Sequence, residues 1–228
     1  MRALDDFPSD FLKPETAGFV LLDAGITDYG VMYETQKELV DRRRSGRASF
    51  DHLIFVEHPE VYTYGRKSHA PFAEVAPHLP QFAVERGGEV TYHNVGQLVC
   101  YPILQLKEKE RDVHLHLRRL ESTLVDVLKD FGLIGERRAG ATGVWIHGKQ
   151  KKIASIGVAV SGWVSYHGSA LNVDNDLKGF SRISPCGYPS DVMTSMEAEL
   201  GGNAPSMSEV KESFLQHFSR HFGRFLVI

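Results

Sequence analysis

The stretch KKIASIGVAVSGWVSYHGSALNV, residues 151–173, decides the fold class. Its two halves are rich in small and β-branched residues, and Ser161 and Gly162 between them are typical of a tight turn. The stretch therefore predicts two neighbouring strands joined as a hairpin. Strict alternation along the first strand puts Lys152 on the same face as Ile156 and Val158, so its amine is expected near the core or a cleft.

Regular patterns on both sides of this hairpin complete the fold prediction. Further strands are predicted at residues 18–22, 53–56, 61–64, 89–92, 98–106 and 143–147. Helices are predicted at residues 28–43 and 112–131, and a last helix begins at the capping-box pair Ser206 and Glu209. No repeat or long linker divides the chain, so residues 1–228 are interpreted as one domain. The order of elements predicts an α+β fold in which helices cover a mixed or antiparallel sheet.

Composition narrows the class of protein. A net charge of −3 over 228 residues gives no general attraction to nucleic acid or to anionic lipid. No apolar stretch is long enough to span a membrane, and the acidic residues that follow Met1 do not resemble a signal peptide. Two cysteines are too few for a disulfide scaffold. We therefore expect a cytoplasmic protein with reduced thiols that binds neither nucleic acid nor membranes.

The two cysteines differ in their surroundings. Cys100 lies in the apolar run LVCYPIL, where packing in the core is the expected role. Cys186 lies in SPCGYP, residues 184–189, where two prolines and a glycine fix the backbone and can present a thiol at a cleft beside free N–H groups. These residues alone leave two interpretations of Cys186 open, a nucleophile or an incidental cysteine in a surface loop.

A thiol nucleophile needs a proton partner because the thiolate is its reactive form. His93 and His167 are candidates, since each follows a strand and precedes a turn that contains glycine. His114 and His116 are two positions apart on a helix, so they point to different sides and are poor joint metal ligands. Lys152 is the third candidate. No metal site is predicted.

The stretch RGGEVTYH, residues 86–93, has features of a binding loop. Its paired glycines allow the backbone to approach a ligand, and Arg86 offers a fork of donors for an anion. Tyr92 and His93 add polar groups. The stretch lacks the Lys-Ser/Thr ending of a P-loop, and a tight structural turn explains it equally well.

Three segments in this order resemble the lipoyl(octanoyl) transferase family. They are RGGEVTYHNVGQLVCYPILQL (86–106), KKIASIGVAV with the following SYHGSALNV (151–173), and FSRISPCGYP (180–189). EHPEVYTYGRKS (57–68) resembles an early segment of the family, and the likeness spans about residues 57–196. Many members have Gly-Pro where this chain has Asn94 and Val95, which alters the turn but removes no catalytic group.

The resemblance implies a fold shared with biotin and lipoate protein ligases and an acyl-enzyme mechanism that uses no cofactor. Cys186 is implied as the nucleophile and Lys152 as its proton partner. The implied donor is octanoyl-acyl carrier protein. The implied acceptors are apo lipoyl domains of 2-oxoacid dehydrogenase complexes and the H protein of glycine cleavage. The implied acyl-binding residues are Arg86, Gly87, Gly88, Glu89, Val90, Thr91, Tyr92, His93, Ser155, Ile156, Gly157, Gly168, Ser169 and Ala170.

Other functions compete with octanoyl transfer. An ATP-dependent lipoate–protein ligase would use a lysine but would need no cysteine nucleophile. A relay amidotransferase, which moves octanoyl groups between carrier domains, would place its cysteine elsewhere in the chain. A non-catalytic module that binds carrier domains would not need both Lys152 and Cys186. The pair therefore favours octanoyl transfer.

Overall fold

The predicted hairpin is present and forms part of a large sheet. Its strands are β9 (Lys152–Ser161) and β10 (Val164–Asn172), which pair antiparallel. The turn between them places Gly162 and Trp163 at φ angles of 57° and 62°. The computed structural model describes residues 17–68, 76–183 and 192–227.

Eight strands form the main sheet, in the order β11-β1-β2-β6-β10-β9-β8-β7. The three strands β11, β1 and β2 pair parallel, and the remaining neighbours pair antiparallel. The other strands of this sheet are β1 (Ala17–Ile26), β2 (Asp51–Glu57), β6 (Gln97–Ile103), β7 (Gly135–Arg138), β8 (Ala141–Ile146) and β11 (Arg224–Leu226). The predicted α+β class with a mixed sheet is therefore confirmed.

A second, smaller sheet carries the predicted binding loop. It contains β3 (Val61–Tyr64), β4 (Gln81–Ala83) and β5 (Val90–His93), with β3 in the middle. Strand β5 pairs antiparallel with β3, from Val61↔His93 to Tyr64↔Val90. This pairing fixes residues 86–89 at one end of the small sheet.

Helices cover both faces of the main sheet. They are α1 (Tyr29–Arg44), α2 (Val113–Asp130), α3 (Met196–Glu199) and α4 (Met207–Phe222), with short 3₁₀ helices at Glu108–Glu110 and Leu177–Arg182. Helices α2 and α4 bury Leu124 and Phe214 against residues such as Phe55 of β2. Helix α1 buries Met32 against the opposite face, beside Ile54 of the same strand. Because neighbouring side chains in β2 alternate, one strand serves two apolar clusters.

The predicted helices agree with the structure, including their first residues. Asp28 accepts hydrogen bonds from Gly30 N–H and Val31 N–H at the start of α1. Ser206 and Glu209 form the predicted capping box of α4. Three short strands, β4, β7 and β11, lack a strong pattern and were not predicted. Among the described residues no helix is both long and apolar enough to cross a bilayer.

Candidate active site

A cavity lies between the small sheet and the main sheet. The space between its walls, open solvent included, is about 570 Å³, and strands β6, β9 and β10 form its floor. All of the predicted acyl-binding residues except Tyr92 line it. They are Arg86, Gly87, Gly88, Glu89, Val90, Thr91, His93, Ser155, Ile156, Gly157, Gly168, Ser169 and Ala170. The structure therefore brings two distant segments of the sequence, 86–93 and 152–170, to one cavity.

Tyr92 points away from this cavity. Its hydroxyl donates a hydrogen bond to a carboxylate oxygen of Glu60, and its ring packs edge-on against Phe180. Gly179 lies directly against the same ring, so closely that any larger residue would collide with it. Alternation along β5 explains the difference, because His93 faces the cavity and its neighbour faces the opposite side.

Lys152 lies at one end of the cavity and is 1% exposed. Its amine is 5.8 Å from the centre of the Trp145 ring. Gly143 leaves space beside it, because a Cβ built on this glycine would lie 2.7 Å from Lys152 Cε and 3.3 Å from Nζ. Gly143 also has a φ of 124°, which side-chain-bearing residues rarely adopt. A glycine and a tryptophan in β8 thus shape the space that holds the lysine.

The ladder between β8 and β9 changes register beside this lysine. Val144 pairs with Ala154, but the next residue, Trp145, pairs with Lys152. Strict alternation therefore does not hold at the start of β9. Lys152 lines the cavity together with Ser155, which alternation had placed on the other face. The expectation of a cleft was right, but the simple assignment of faces was not.

The residues that cover the cavity are held by Arg86. One of its guanidinium nitrogens donates to Thr63 O at 2.7 Å and to Thr63 Oγ1 at 2.9 Å, and another donates to Gly87 O at 3.1 Å. Gly87 N–H donates to Val158 O at 3.0 Å. The guanidinium thus ties residues 86–87 to β3, and Gly87 fastens them to the main sheet.

The histidines of the cavity are neutral at physiological pH. Burial lowers the pKa of His93 to about 3, and nearby His58 lowers it further. Its Nδ1 lies 2.6 Å from Gln97 Oε1, to which it donates. Burial likewise lowers the pKa of His167 to about 4, with the positive charge of Arg86 adding to the effect. Neither imidazole is well suited to accept a proton from a thiol at neutral pH.

The segment that contains Cys186 lies outside the described residues. The role predicted for its thiol therefore stays a prediction. The residues on both sides of this segment are described. Ile183 and Val192 belong to one apolar cluster with Trp145, the ring that faces Lys152. Met193 forms a bridge with Lys152, and Thr194 N–H donates to Lys152 O at 2.9 Å.

Comparison with known proteins identifies the family. Residues 28–219 match the family model described as the lipoyl protein ligase A/B catalytic domain. The chain belongs to this family. The octanoyltransferase of Synechococcus elongatus is 48% identical over 179 residues, covering 77% of this chain and 76% of that protein. The octanoyltransferase of Gloeobacter violaceus is 44% identical, covering 90% of each. This member of the lipoyl protein ligase A/B family is an acyltransferase.

Solved structures share the fold of this family member. A lipoate–protein ligase A bound with ATP has a TM-score of 0.65 at 16% identity, covering 93% of this chain and 90% of that one. A biotin protein ligase from Aquifex aeolicus, in complex with biotin and ATP, has a TM-score of 0.53 at 18% identity, covering 90% and 70%. The expected fold of biotin and lipoate protein ligases is therefore confirmed.

Several residues of the acyltransferase site were not predicted from the sequence. Asn172 Nδ2 donates to Thr194 O at 2.9 Å, and Gln97 Nε2 donates to Asn172 Oδ1 at 2.8 Å. Gln97 in turn accepts from His93, so a buried chain of hydrogen bonds joins the cavity wall to the segment that contacts Lys152. Asn172 and Gln97 both lie in segments that resemble the family, but no local pattern in the sequence indicates that their side chains meet.

Proposed function

We propose that this acyltransferase moves an octanoyl group from octanoyl-acyl carrier protein to the ε-amine of a lysine on an apo lipoyl domain. Cys186 is the nucleophile and Lys152 its proton partner. The acceptors are lipoyl domains of 2-oxoacid dehydrogenase complexes and of the H protein of glycine cleavage. The observation that carries the proposal is a buried lysine at one end of a cavity that small residues line.

Chain geometry supports the pairing of Cys186 with Lys152. Cys186 is three residues beyond Ile183, so their Cα atoms are at most about 11 Å apart. Ile183 packs in the cluster that contains Trp145, and the chain returns beside Lys152 at Met193. On the C-terminal side of Cys186 the described chain therefore contacts Lys152 directly, and on the N-terminal side it packs in the cluster of the ring beside the lysine. Both observations support the proposed pairing.

The reaction has two steps. The Cys186 thiolate attacks the thioester carbonyl, a new C–S bond forms, and the carrier thiol departs with a proton from Lys152. The acceptor amine then attacks the acyl-cysteine, the C–S bond breaks, and Lys152 takes up the proton that the amine loses as the amide forms. Thioester exchange is close to thermoneutral and amide formation is downhill, so the reaction needs no ATP or other cofactor.

Intact mass spectrometry tests this proposal. Wild-type protein mixed with octanoyl-acyl carrier protein is expected to gain one octanoyl group that hydroxylamine removes. The Cys186→Ala variant is expected to gain none. Cys100→Ala is the matched control, because Cys100 is 1% exposed in the core and burial raises the pKa of its thiol. An adduct that persists in Cys186→Ala would overturn the assignment of the nucleophile.

A second measurement separates transferase from ligase. Apo lipoyl domain is incubated with enzyme and either octanoyl-acyl carrier protein alone or free octanoate with ATP. Octanoylation of the domain in the first mixture alone supports the transferase. Octanoylation in the second mixture alone would favour an ATP-dependent lipoate–protein ligase, an enzyme class that shares this fold. The cytoplasmic location expected from composition stays a prediction.

A further inference from the structure

The end of the cavity farthest from Lys152 is closed by one rung of the main sheet. On β9 the lining runs from Lys152 to Gly157, and on β10 it runs from Ala170 back to His167. His167 pairs with Val158, the residue after Gly157. On the next rung Ala159 and Tyr166 belong to the apolar cluster beneath α1 and do not line the cavity.

The covering residues meet the sheet at this same rung. Gly87 N–H donates to Val158 O at 3.0 Å, directly beside the pairing of Val158 with His167. A Cβ built on Gly157 would lie 2.9 Å from Gly87 O and 3.1 Å from Arg86 Cδ, so cover and floor are already in contact there. The cavity therefore ends where His167 lies.

His167 adopts a backbone conformation that is costly for most residues. Its φ is 56°, in the left-handed region that favours glycine and asparagine. Its backbone N–H donates to the buried Gln36 Oε1 of α1 at 2.9 Å. Such strain persists where the surroundings enforce it, and it often marks a functional position.

The imidazole of His167 is held on its outer side and faces the cavity on the other. Its ring stacks on Tyr33 at 6.0 Å between centroids, and Nε2 lies 3.6 Å from Glu85 Oε2. Among the described residues Nε2 has no hydrogen-bond partner. The side chain is 2% exposed and lines the cavity. An aromatic side chain that packs on α1 thus lines the cavity at this end.

We propose that His167 is the end wall of the acyl channel and sets the longest acyl chain that the enzyme accepts. The proposal rests on the acyl transfer proposed above. With the reacting carbonyl near Lys152, the acyl tail extends along Ser155 and Gly157 toward this ring. Carbon atoms beyond the ring would have to displace it or leave the cavity.

The test compares donors of different length on acyl carrier protein. Octanoyl, decanoyl and dodecanoyl donors are assayed with apo lipoyl domain, and kcat/KM is measured for wild type, His167→Gly and His167→Asn. Each methylene that gains burial contributes about fourfold. We expect the dodecanoyl-to-octanoyl ratio of kcat/KM to rise at least tenfold in His167→Gly and less in His167→Asn. Both substitutions suit a φ of 56°.

Trp163→Gly is the matched control. Trp163 is the other described non-glycine residue with a positive φ, it lies in the same hairpin, and it is 39% exposed outside the cavity. Its substitution relieves comparable backbone strain without opening the channel, so its ratio is expected to equal that of wild type. Because a ratio between two donors cancels the amount of folded enzyme, partial unfolding of a variant does not disturb the comparison.

The possible outcomes distinguish a failure of the proposed role of His167 from a failure of the proposed acyl transfer. Wild-type ratios in both His167 variants would overturn the end wall while leaving the acyl transfer intact. A raised ratio in Trp163→Gly as well would assign the effect to the hairpin backbone, and would equally overturn the role of the ring. If wild-type protein forms no acyl adduct with any donor, the proposed function fails, and the end wall with it.

Discussion

The two ends of the cavity use burial in opposite ways. At one end the amine of Lys152 lies between Trp145 and Gly143, where it can exchange a proton with a reacting group. At the other end His167 is an imidazole whose pKa burial lowers to about 4. A neutral ring suits a hydrocarbon tail better than a charged group in that place would. Under the proposed function, the fold separates proton chemistry from recognition of the acyl tail.

The largest effect is expected when the amine of Lys152 is removed. Lys152→Met keeps the length and apolar stem of the side chain but cannot transfer a proton. We expect octanoyl transfer to fall about 10²- to 10⁴-fold, the range typical of general acid–base groups. The free energy of unfolding is measured beside the activity, so that a loss of folded protein is separated from a loss of proton transfer.

Lys151→Met is the control for this prediction, because it changes the neighbouring and more exposed lysine. The measurements are the rate of lipoyl-domain octanoylation and urea unfolding of the three proteins. Equal loss of activity in both variants would refute a special role for Lys152.

The features at the two ends of the cavity could be predicted from the sequence to different extents. The hairpin and the capping box of the last helix are local patterns, so these elements could be predicted, whereas most of the cavity lining was implied by the family resemblance. Gly143 could not, because its role depends on a register shift between β8 and β9 that brings Lys152 beside it. Thr194 could not either, since it contacts Lys152 O from a segment 42 positions along the chain. From the sequence, His167 was only a candidate proton partner for the thiol. Its position in the cavity could not be predicted, because its burial and its φ of 56° are properties of the folded chain.

Crowding the lysine is the next test of that end of the cavity. In Gly143→Ala the added Cβ collides with the backbone oxygen of Ala154 and meets Lys152 Cε at 2.7 Å, so β9 and the amine that it carries must shift. We expect octanoyl transfer to fall about 10- to 100-fold, because displacement of a catalytic group by about 1 Å is costly. Gly140→Ala is the matched control, since Gly140 also has a positive φ, 77°, but nothing lies within 4 Å of its Cβ position. Similar activity loss in both variants would assign the effect to backbone strain alone.

Acid should destabilise the protein through His58, whose ring packs against that of His93 at 6.0 Å between centroids. Burial lowers the pKa of His58 from 6.5 to about 4, and its Nε2 accepts a hydrogen bond from Tyr101 at 2.9 Å. Because its folded pKa lies below the unfolded value, the stability it contributes is fully present above pH 6.5 and is lost as pH falls toward 4. At pH 5, 1.5 units below 6.5, this loss is about 2 kcal/mol for one such histidine.

The pH prediction is measured by urea unfolding at pH 7.5 and pH 5. The fall in unfolding free energy is expected to be about 2 kcal/mol smaller in His58→Gln than in wild type, whatever the absolute stability of the variant. His114→Gln is the control, because His114 is exposed on α2 and its substitution should leave the fall unchanged. An identical fall in His58→Gln would mean that His58 does not stay neutral.

The smallest effect is expected where the cover meets the floor of the channel. In Gly157→Ala the new Cβ lies 2.9 Å from Gly87 O and 3.1 Å from Arg86 Cδ, so the cover must lift by a few tenths of an ångström. We expect kcat/KM for the octanoyl donor to fall about tenfold, mainly through KM, because the tail loses part of its enclosure while Lys152 is undisturbed. Gly18→Ala is the control, since its Cβ meets only side chains at the far edge of the sheet. A fall carried by kcat instead would show that the two ends of the cavity are mechanically coupled, and that the separation of proton chemistry from tail recognition is incomplete.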